Sequence, residues 1–155
     1  MVDQSNTPVS FHRGESELPF VPYQEGVTFQ LLQVDLNNSL WVIRVKFEPG
    51  VTIQRHRHTG DVLAFTIDGA WRYLEYPEIN VAGSYLYEPA SAIHTLHVPE
   101  TNTGITDVWF AVRGANLDLD DDDNVIAIID AATILDIYRA QCAEMGITDP
   151  DVIGT

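Results

Sequence analysis

The sequence has a single cysteine, Cys142, among its 155 residues. One thiol excludes an intrachain disulfide and any cysteine-rich zinc module. Positive charge is nearly as scarce. Lys46 is the only lysine, and 8 basic residues face 23 acidic ones, for a formal net charge of −15. Gripping a phosphate backbone or an anionic lipid surface takes clustered Lys and Arg, so the composition argues against nucleic acid and membrane as partners. No run approaches the roughly 18 apolar residues of a membrane span. Residues 1–10 are polar and lack the charged-then-apolar order of a secretion leader. Together these absences predict a cytoplasmic protein in a reducing setting.

What the chain does have is apolar content, 45%. That is enough to bury a core, and the length suits one domain. Charge is uneven: residues 114–155 carry ten acidic residues and one basic, Arg139, which accounts for −9 of the −15. Residues 1–22, with Pro8, Gly14, Pro19 and Pro22, read as an N-terminal arm. From Val27 onward, short β-rich runs alternate with turn signals. Strands are predicted over 27–34, 40–47, 51–58, 62–67, 70–76, 84–87, 92–98 and 105–112. Turns every 8–12 residues indicate an all-β sandwich or barrel rather than βαβ units. Asp130 can cap a helix over 131–145, with Leu135, Tyr138, Cys142 and Met145 at helical spacing and Gly146 as its stop. The division expected is an arm over 1–22, a barrel over 23–130, and a helix over 131–146 that packs on the barrel or a partner subunit.

Three of the five histidines are placed as a metal site would need. His56 and His58 are two apart in a predicted strand, so both face one way. His94 lies in another predicted strand. Neutral imidazoles on one face of a barrel can converge on one divalent cation. His97, an odd step from His94, faces away, and Arg57 must point away from its histidine neighbours. The acidic run from Asp118 to Asp123 is not an EF-hand loop: Asp123 stands where glycine is needed and Ile129 where glutamate is. It reads as a solvated turn between strands. Cys142 on the helix's apolar stripe reads as a small buried hydrophobe.

The residues around the histidines carry a resemblance. Gly50, five residues, then His56-Arg57-His58 and later Gly69 match the first cupin motif. Gly83, five residues, then Pro89 and His94 match the second. The chain thus resembles the cupin superfamily, which implies an antiparallel β-barrel of the jelly-roll (double-stranded β-helix) type, here with a C-terminal α-helix. Two departures stand out. The motif-one glutamate position is Val62, and the glycine after the motif-two proline is Ser91. A tight turn at Asp68-Gly69 would pair Val62 with Glu75 and put that carboxylate beside the vacant position. The same pairing would put Trp71, Tyr73, Ala64 and Thr66 on the metal side. Trp71, Tyr73 and Thr66 are therefore the expected pocket wall, suited to an aryl or apolar substrate.

More narrowly, HRHTGDVLAFTIDGAWRYLEY and GSYLYEPASAIHTL look like the cupins known as 2,4′-dihydroxyacetophenone dioxygenases and acetylacetone-cleaving enzymes. The resemblance implies that His56, His58 and His94 bind non-haem Fe(II). In its hydroxyketone-cleaving members a glutamate corresponding to Glu75 joins them. It implies a dioxygenase that cleaves a carbon–carbon bond next to a ketone, with a small ketone (α-hydroxyketone or β-diketone) and O2 as its partners. Zn(II), Ni(II) or Mn(II) are alternative metals. Glu88 is a candidate to orient a ligand histidine. Two other readings stand beside this one: a metal-binding cupin without turnover, such as the sensor domain of ChrR-type anti-sigma factors, and a redox-neutral Zn(II) or Mn(II) enzyme. Against the sensor role, no part of the 155-residue sequence reads as an appended DNA-binding or anti-sigma segment. A homodimer or tetramer is expected.

Overall fold

A computed structural model describes residues 8–155; the first seven residues of the arm lie outside the described residues, as does most of the stretch read for a secretion leader. Thirteen strands and one helix follow in chain order. They are β1 (Val21–Gln24), β2 (Val27–Asp35), β3 (Leu40–Phe47), β4 (His56–His58), β5 (Val62–Asp68), β6 (Ala70–Tyr73), β7 (Asn80–Val81), β8 (Tyr85–Glu88), β9 (Ile93–His94), β10 (Leu96–His97), β11 (Thr106–Arg113), β12 (Asn116–Leu119), β13 (Val125–Ile129) and α1 (Ala131–Glu144). All named pairings are antiparallel. One sheet runs β1-β2-β3-β11-β5-β8, a second β13-β12-β4-β9, and a small third β10-β6-β7. The all-β architecture with a C-terminal helix agrees with the sequence.

The large sheet alternates as a half-buried antiparallel sheet must. Trp41, Val45 and Phe47 of β3 point inward, as do Val108, Phe110 and Val112 of β11 and Val62 and Ala64 of β5. On its outer side Trp109, Phe65 and Tyr85 form one cross-strand row, each about half exposed or more. The arm crosses this outer side near β2 and β3. Gln30 Nε2 donates to the carbonyls of Glu15 (2.9 Å) and Leu18 (2.7 Å), and Lys46 sits over the Phe20 ring at 4.2 Å.

The helix starts where the sequence places it. Asp130 accepts a hydrogen bond from the Thr133 amide at 2.8 Å, which satisfies one of the free donors of the first turn. Its buried face carries Ile134, Leu135, Tyr138 and Cys142. Tyr138 packs against Phe29 of β2 and donates to the Pro19 carbonyl at 2.8 Å, so the helix closes on the barrel and the arm of its own chain.

Several predicted strands come out shorter. The 51–58 run is a strand only at 56–58, with an isolated bridge at Thr52 to His97. The 92–98 run splits into β9 and β10. The 70–76 run stops at Tyr73. Beyond Tyr73 the chain turns, with the Tyr76 amide bonded to the Tyr73 carbonyl at 3.2 Å. This ending has a consequence for the predicted hairpin. β5 pairs with β11 and β8, whereas β6 pairs with β7 and β10, so Val62 never faces Glu75. Gly69 does occupy the left-handed region, at φ 78°, but the two strands diverge after the turn. Each then satisfies its backbone with other partners, which is how a barrel corner forms.

Candidate metal centre

His56 and His58 flank exposed Arg57 on β4, and the alternation of the strand buries both rings. β4 lies between β12 and β9, and His94 of β9 stands directly opposite His56. The third imidazole is therefore delivered by strand register. Ring centroids are 4.8 Å (56–58), 4.9 Å (56–94) and 5.0 Å (58–94) apart, close to an equilateral triangle. One nitrogen from each ring falls within 4.8 Å of the others, the single such cluster of metal-ligating side chains among the described residues.

The second nitrogen of each ring decides what the first can do. Nδ1 of His56 is 2.8 Å from the Gln54 carbonyl. A carbonyl only accepts, so Nδ1 carries the proton and Nε2 keeps its lone pair. Burial, followed by the neighbouring His58, lowers the His56 pKa to about 4, so this ring is neutral at ordinary pH. The Nε2 atoms of His58 and His94 approach to 3.0 Å. Tyr73 lies flat against His94, with centroids 3.7 Å apart and planes at 11°, which fixes that ring's plane.

A carboxylate completes the cluster. Glu88 is 3% exposed, with Oε2 2.8 Å from His58 Nε2 and 3.2 Å from His94 Nε2. Oε1 takes the Tyr73 hydroxyl proton in a hydrogen bond. Burial pushes the Glu88 carboxyl up, but the two imidazoles beside it outweigh that and bring it to about 2. Oε2 nevertheless lacks a hydrogen bond of sound geometry, and so does the buried Nδ1 of His58. Glu88 Oε2, buried beside two imidazole Nε2 atoms with no hydrogen bond of its own, is what a cation at that point would satisfy. The residues present therefore fit a divalent ion held by His56, His58 and His94 with Glu88 at its side.

The other predicted site residues divide. Tyr73 borders the cavity beside the histidines. Trp71 and Thr66 do not. Trp71 is wholly buried against Tyr73 and Phe110, and its Nε1 donates to Thr66 Oγ1 at 2.9 Å, so this pair belongs to the core. Glu75 is exposed, and its two oxygens accept from the Thr95 amide and hydroxyl, each at 2.8 Å. The expectation that it stands beside position 62 fails because β6 ends before it. The residue opposite Val62 is Glu88. His97 faces away from the cluster and meets Thr52 Oγ1 at 2.9 Å.

The cavity, about 150 Å³, runs from His56, His58 and Glu88 into the barrel. Its wall is mainly apolar, including Phe29, Trp41, Ile43, Val45, Phe110 and Val112, and holds neither Lys nor Arg. Asn116 and Asp118 of β12 also line it, opposite His58 and His56 in register. Sequence reasoning missed both: Leu117 and Leu119 alternate with them, and alternation alone gives the inner face to the leucines rather than to Asn116 and Asp118.

With this geometry in hand, comparisons place the chain. The family model described as ChrR cupin-like domain matches residues 11–111. An RmlC-like cupin protein from Ralstonia eutropha JMP134 is 31% identical, with TM-score 0.85 and 92% of each chain covered. Another protein from that organism, described as of unknown function with a cupin-like fold, is 33% identical, with TM-score 0.79 over 88% of this chain and 91% of the other. Acetylacetone dioxygenase from Acinetobacter johnsonii shares the fold at 21% identity, with TM-score 0.77 over 91% of this chain and 98% of its own. No curated protein matches. A barrel with the two cupin motifs, three convergent histidines and a match over most of the domain leaves one assignment: the chain belongs to the ChrR cupin-like domain family of the cupins.

Proposed function

We propose that this protein is an Fe(II)-dependent dioxygenase that cleaves a carbon–carbon bond next to a ketone. The observation that carries the proposal is the buried cluster of His56, His58 and His94 with Glu88, opening on an apolar cavity without cations. Bound there, Fe(II) would supply open positions for a chelating oxygen donor and for dioxygen. The chain's own residues supply the rest. The three imidazoles hold the ion, and the neutral state of His56 keeps its lone pair available at neutral pH. The aliphatic and aromatic wall excludes water and favours an uncharged organic substrate over a carboxylate or phosphate. Glu88, held on Tyr73, stands as a carboxylate at the cluster, where it would add an anionic oxygen beside the imidazoles that hold the ion. Likeness in fold to acetylacetone dioxygenase supports the β-diketone class, and the α-hydroxyketone class rests on the sequence resemblance alone. The test is anaerobic reconstitution with Fe(II), then oxygen uptake and product analysis with aryl α-hydroxyketones and β-diketones. Uptake with matched C–C cleavage is expected; none from iron-loaded protein across both classes overturns the proposal.

A second reading is favoured by one finding, the family match to the ChrR cupin-like domain, with the anti-sigma protein ChrR of Rhodobacter sphaeroides among the structural neighbours. On this reading the same cluster binds metal, Zn(II) for instance, without turnover. Metal-loaded protein that consumes no oxygen yet changes its binding to a sigma-type partner would favour it.

A further inference from the structure

The three histidines are not equally secured. His56 Nδ1 is held by the Gln54 carbonyl, and the His94 ring by the Tyr73 stack. His58 has neither. Its Nε2 is the inward atom, 2.8 Å from Glu88 and 3.0 Å from His94 Nε2. An imidazole that coordinates through Nε2 must carry its proton on Nδ1, and that Nδ1 is buried without a partner.

A second orphan lies across the strand pair. Asn116 of β12 stands opposite His58 of β4, and its side-chain oxygen Oδ1 is likewise buried without a partner. Directly opposed residues of an antiparallel pair put their side chains on one face, with Cβ atoms about 5 Å apart. One orphan is a donor whenever Nε2 is used for coordination, and the other is an acceptor. Among the described residues neither has a hydrogen-bond partner, and they are not yet bonded to each other. Asn116 also lines the cavity, as His58 does, so it borders the space where substrate would sit.

We propose that Asn116 is the positioning residue for His58: its Oδ1 accepts the His58 Nδ1–H, selecting the tautomer that leaves Nε2 free for a metal. The inference rests on the metal reading of the cluster and adds a residue outside the cupin motifs. Its function needs an acceptor at position 116, not an amide as such. Asn116→Asp keeps an acceptor; Asn116→Leu keeps the volume and removes it. Since Oδ1 makes no hydrogen bond in the metal-free protein, Asn116→Leu is expected to leave the metal-free thermal midpoint unchanged or raised. A purely structural asparagine would show the reverse.

The experiment measures Zn(II) and Co(II) affinity by chelator competition in wild type, Asn116→Leu and Asn116→Asp. It also follows the exchangeable Nδ1–H resonances of the Co(II)-loaded proteins by NMR. Affinity is expected to fall about 10–100-fold in Asn116→Leu, the usual effect of losing a group that orients a metal-bound histidine, and to recover within about threefold of wild type in Asn116→Asp. One slowly exchanging imidazole N–H signal, present in wild type, should exchange rapidly in Asn116→Leu. Wild type that binds metal while Asn116→Leu binds it equally well, with all signals kept, overturns this inference alone. Wild type that binds no metal overturns the metal reading and the inference with it. If Asn116→Leu fails to fold, Asn116→Ala provides the same comparison.

Discussion

Val62 and Glu88 stand directly opposite each other where β5 pairs with β8. Position 62 is where the first cupin motif usually has its glutamate, and the neighbouring strand supplies a carboxylate in its place. Opposed residues share a face, so Glu88 enters the histidine cluster from beside the vacancy. Glu75 lies outside it, tied to Thr95.

A first prediction follows from that placement. Glu88→Gln removes the charge next to His58 and His94 and is expected to weaken divalent-metal binding about tenfold or more. Glu75→Gln is expected to leave it within about twofold. Chelator competition on the two variants measures both. A larger loss in Glu75→Gln than in Glu88→Gln would reverse the assignment.

Acidity provides a second prediction. The His56 pKa lies at about 4 in the fold against 6.5 for a free imidazole. Between these values the unfolded chain takes up a proton at position 56 that the folded chain refuses. The stability of metal-free protein is therefore full above about pH 6.5 and falls as pH drops toward 4, by on the order of 3 kcal/mol from this group. Glu88, at about 2 against 4.5, extends the same trend to lower pH, since it too binds protons more readily unfolded. Urea midpoints at pH 7.5, 5.5 and 4 should decline in this order, and His56→Asn should flatten the upper part of the curve.

The fold and the histidine triad were legible because strong local signals carry them. Apolar, β-branched runs between turn signals mark β2, β3, β5 and β11, the two-residue step puts His56 and His58 on one face, and Asp130 announces the helix. The carboxylate was not legible to the same degree. Its position depends on which strand pairs with β5, and a turn sequence as strong as Asp68-Gly69 does not fix how far the two strands stay together. Trp71 and Tyr73 show the same limit. Both point inward from β6, but depth in the barrel makes one a core residue and the other a cavity wall. Ser91, the motif-two departure, stands at φ 72°, in the left-handed region that favours glycine. Asp118 opens the run read as an acidic turn and Asn116 precedes it outside any predicted strand, and nothing short of the β4–β12 register places them.

A third prediction concerns the turn glycines. Gly69 combines a positive φ of 78° with crowding: a Cβ there would lie 2.4 Å from Thr106 Oγ1 and 2.7 Å from Thr106 Cα. Thr106 cannot retreat easily, because its hydroxyl also bonds Asn102 and the Ala70 backbone. Gly69→Ala is expected to cost about 3 kcal/mol or more, conformational strain plus a clash with backbone. At Gly83, φ is 87° but a Cβ meets nothing within 4 Å, so Gly83→Ala should cost only the conformational part, about 1–2 kcal/mol. Chemical denaturation of the two variants checks the order.

The last prediction concerns how Glu88 is held. Tyr73 does two things at once: its ring lies on His94 and its hydroxyl donates to Glu88 Oε1. That hydrogen bond leaves Oε2 directed at the histidine pair. Tyr73→Phe keeps the stack and removes the donor, so the carboxylate is freed to rotate and its buried oxygen loses a partner. The variant should lose about 1–2 kcal/mol of stability in the metal-free state. Its metal affinity should fall in the same direction as that of Glu88→Gln, by a smaller factor. If Tyr73 acts on the metal through Glu88, the two changes are not independent. Tyr73→Phe added to Glu88→Gln should then weaken metal binding little beyond Glu88→Gln alone. Chelator competition across the four proteins of this cycle measures the coupling, and full additivity would show that the Tyr73 hydroxyl acts on metal binding by a route other than Glu88.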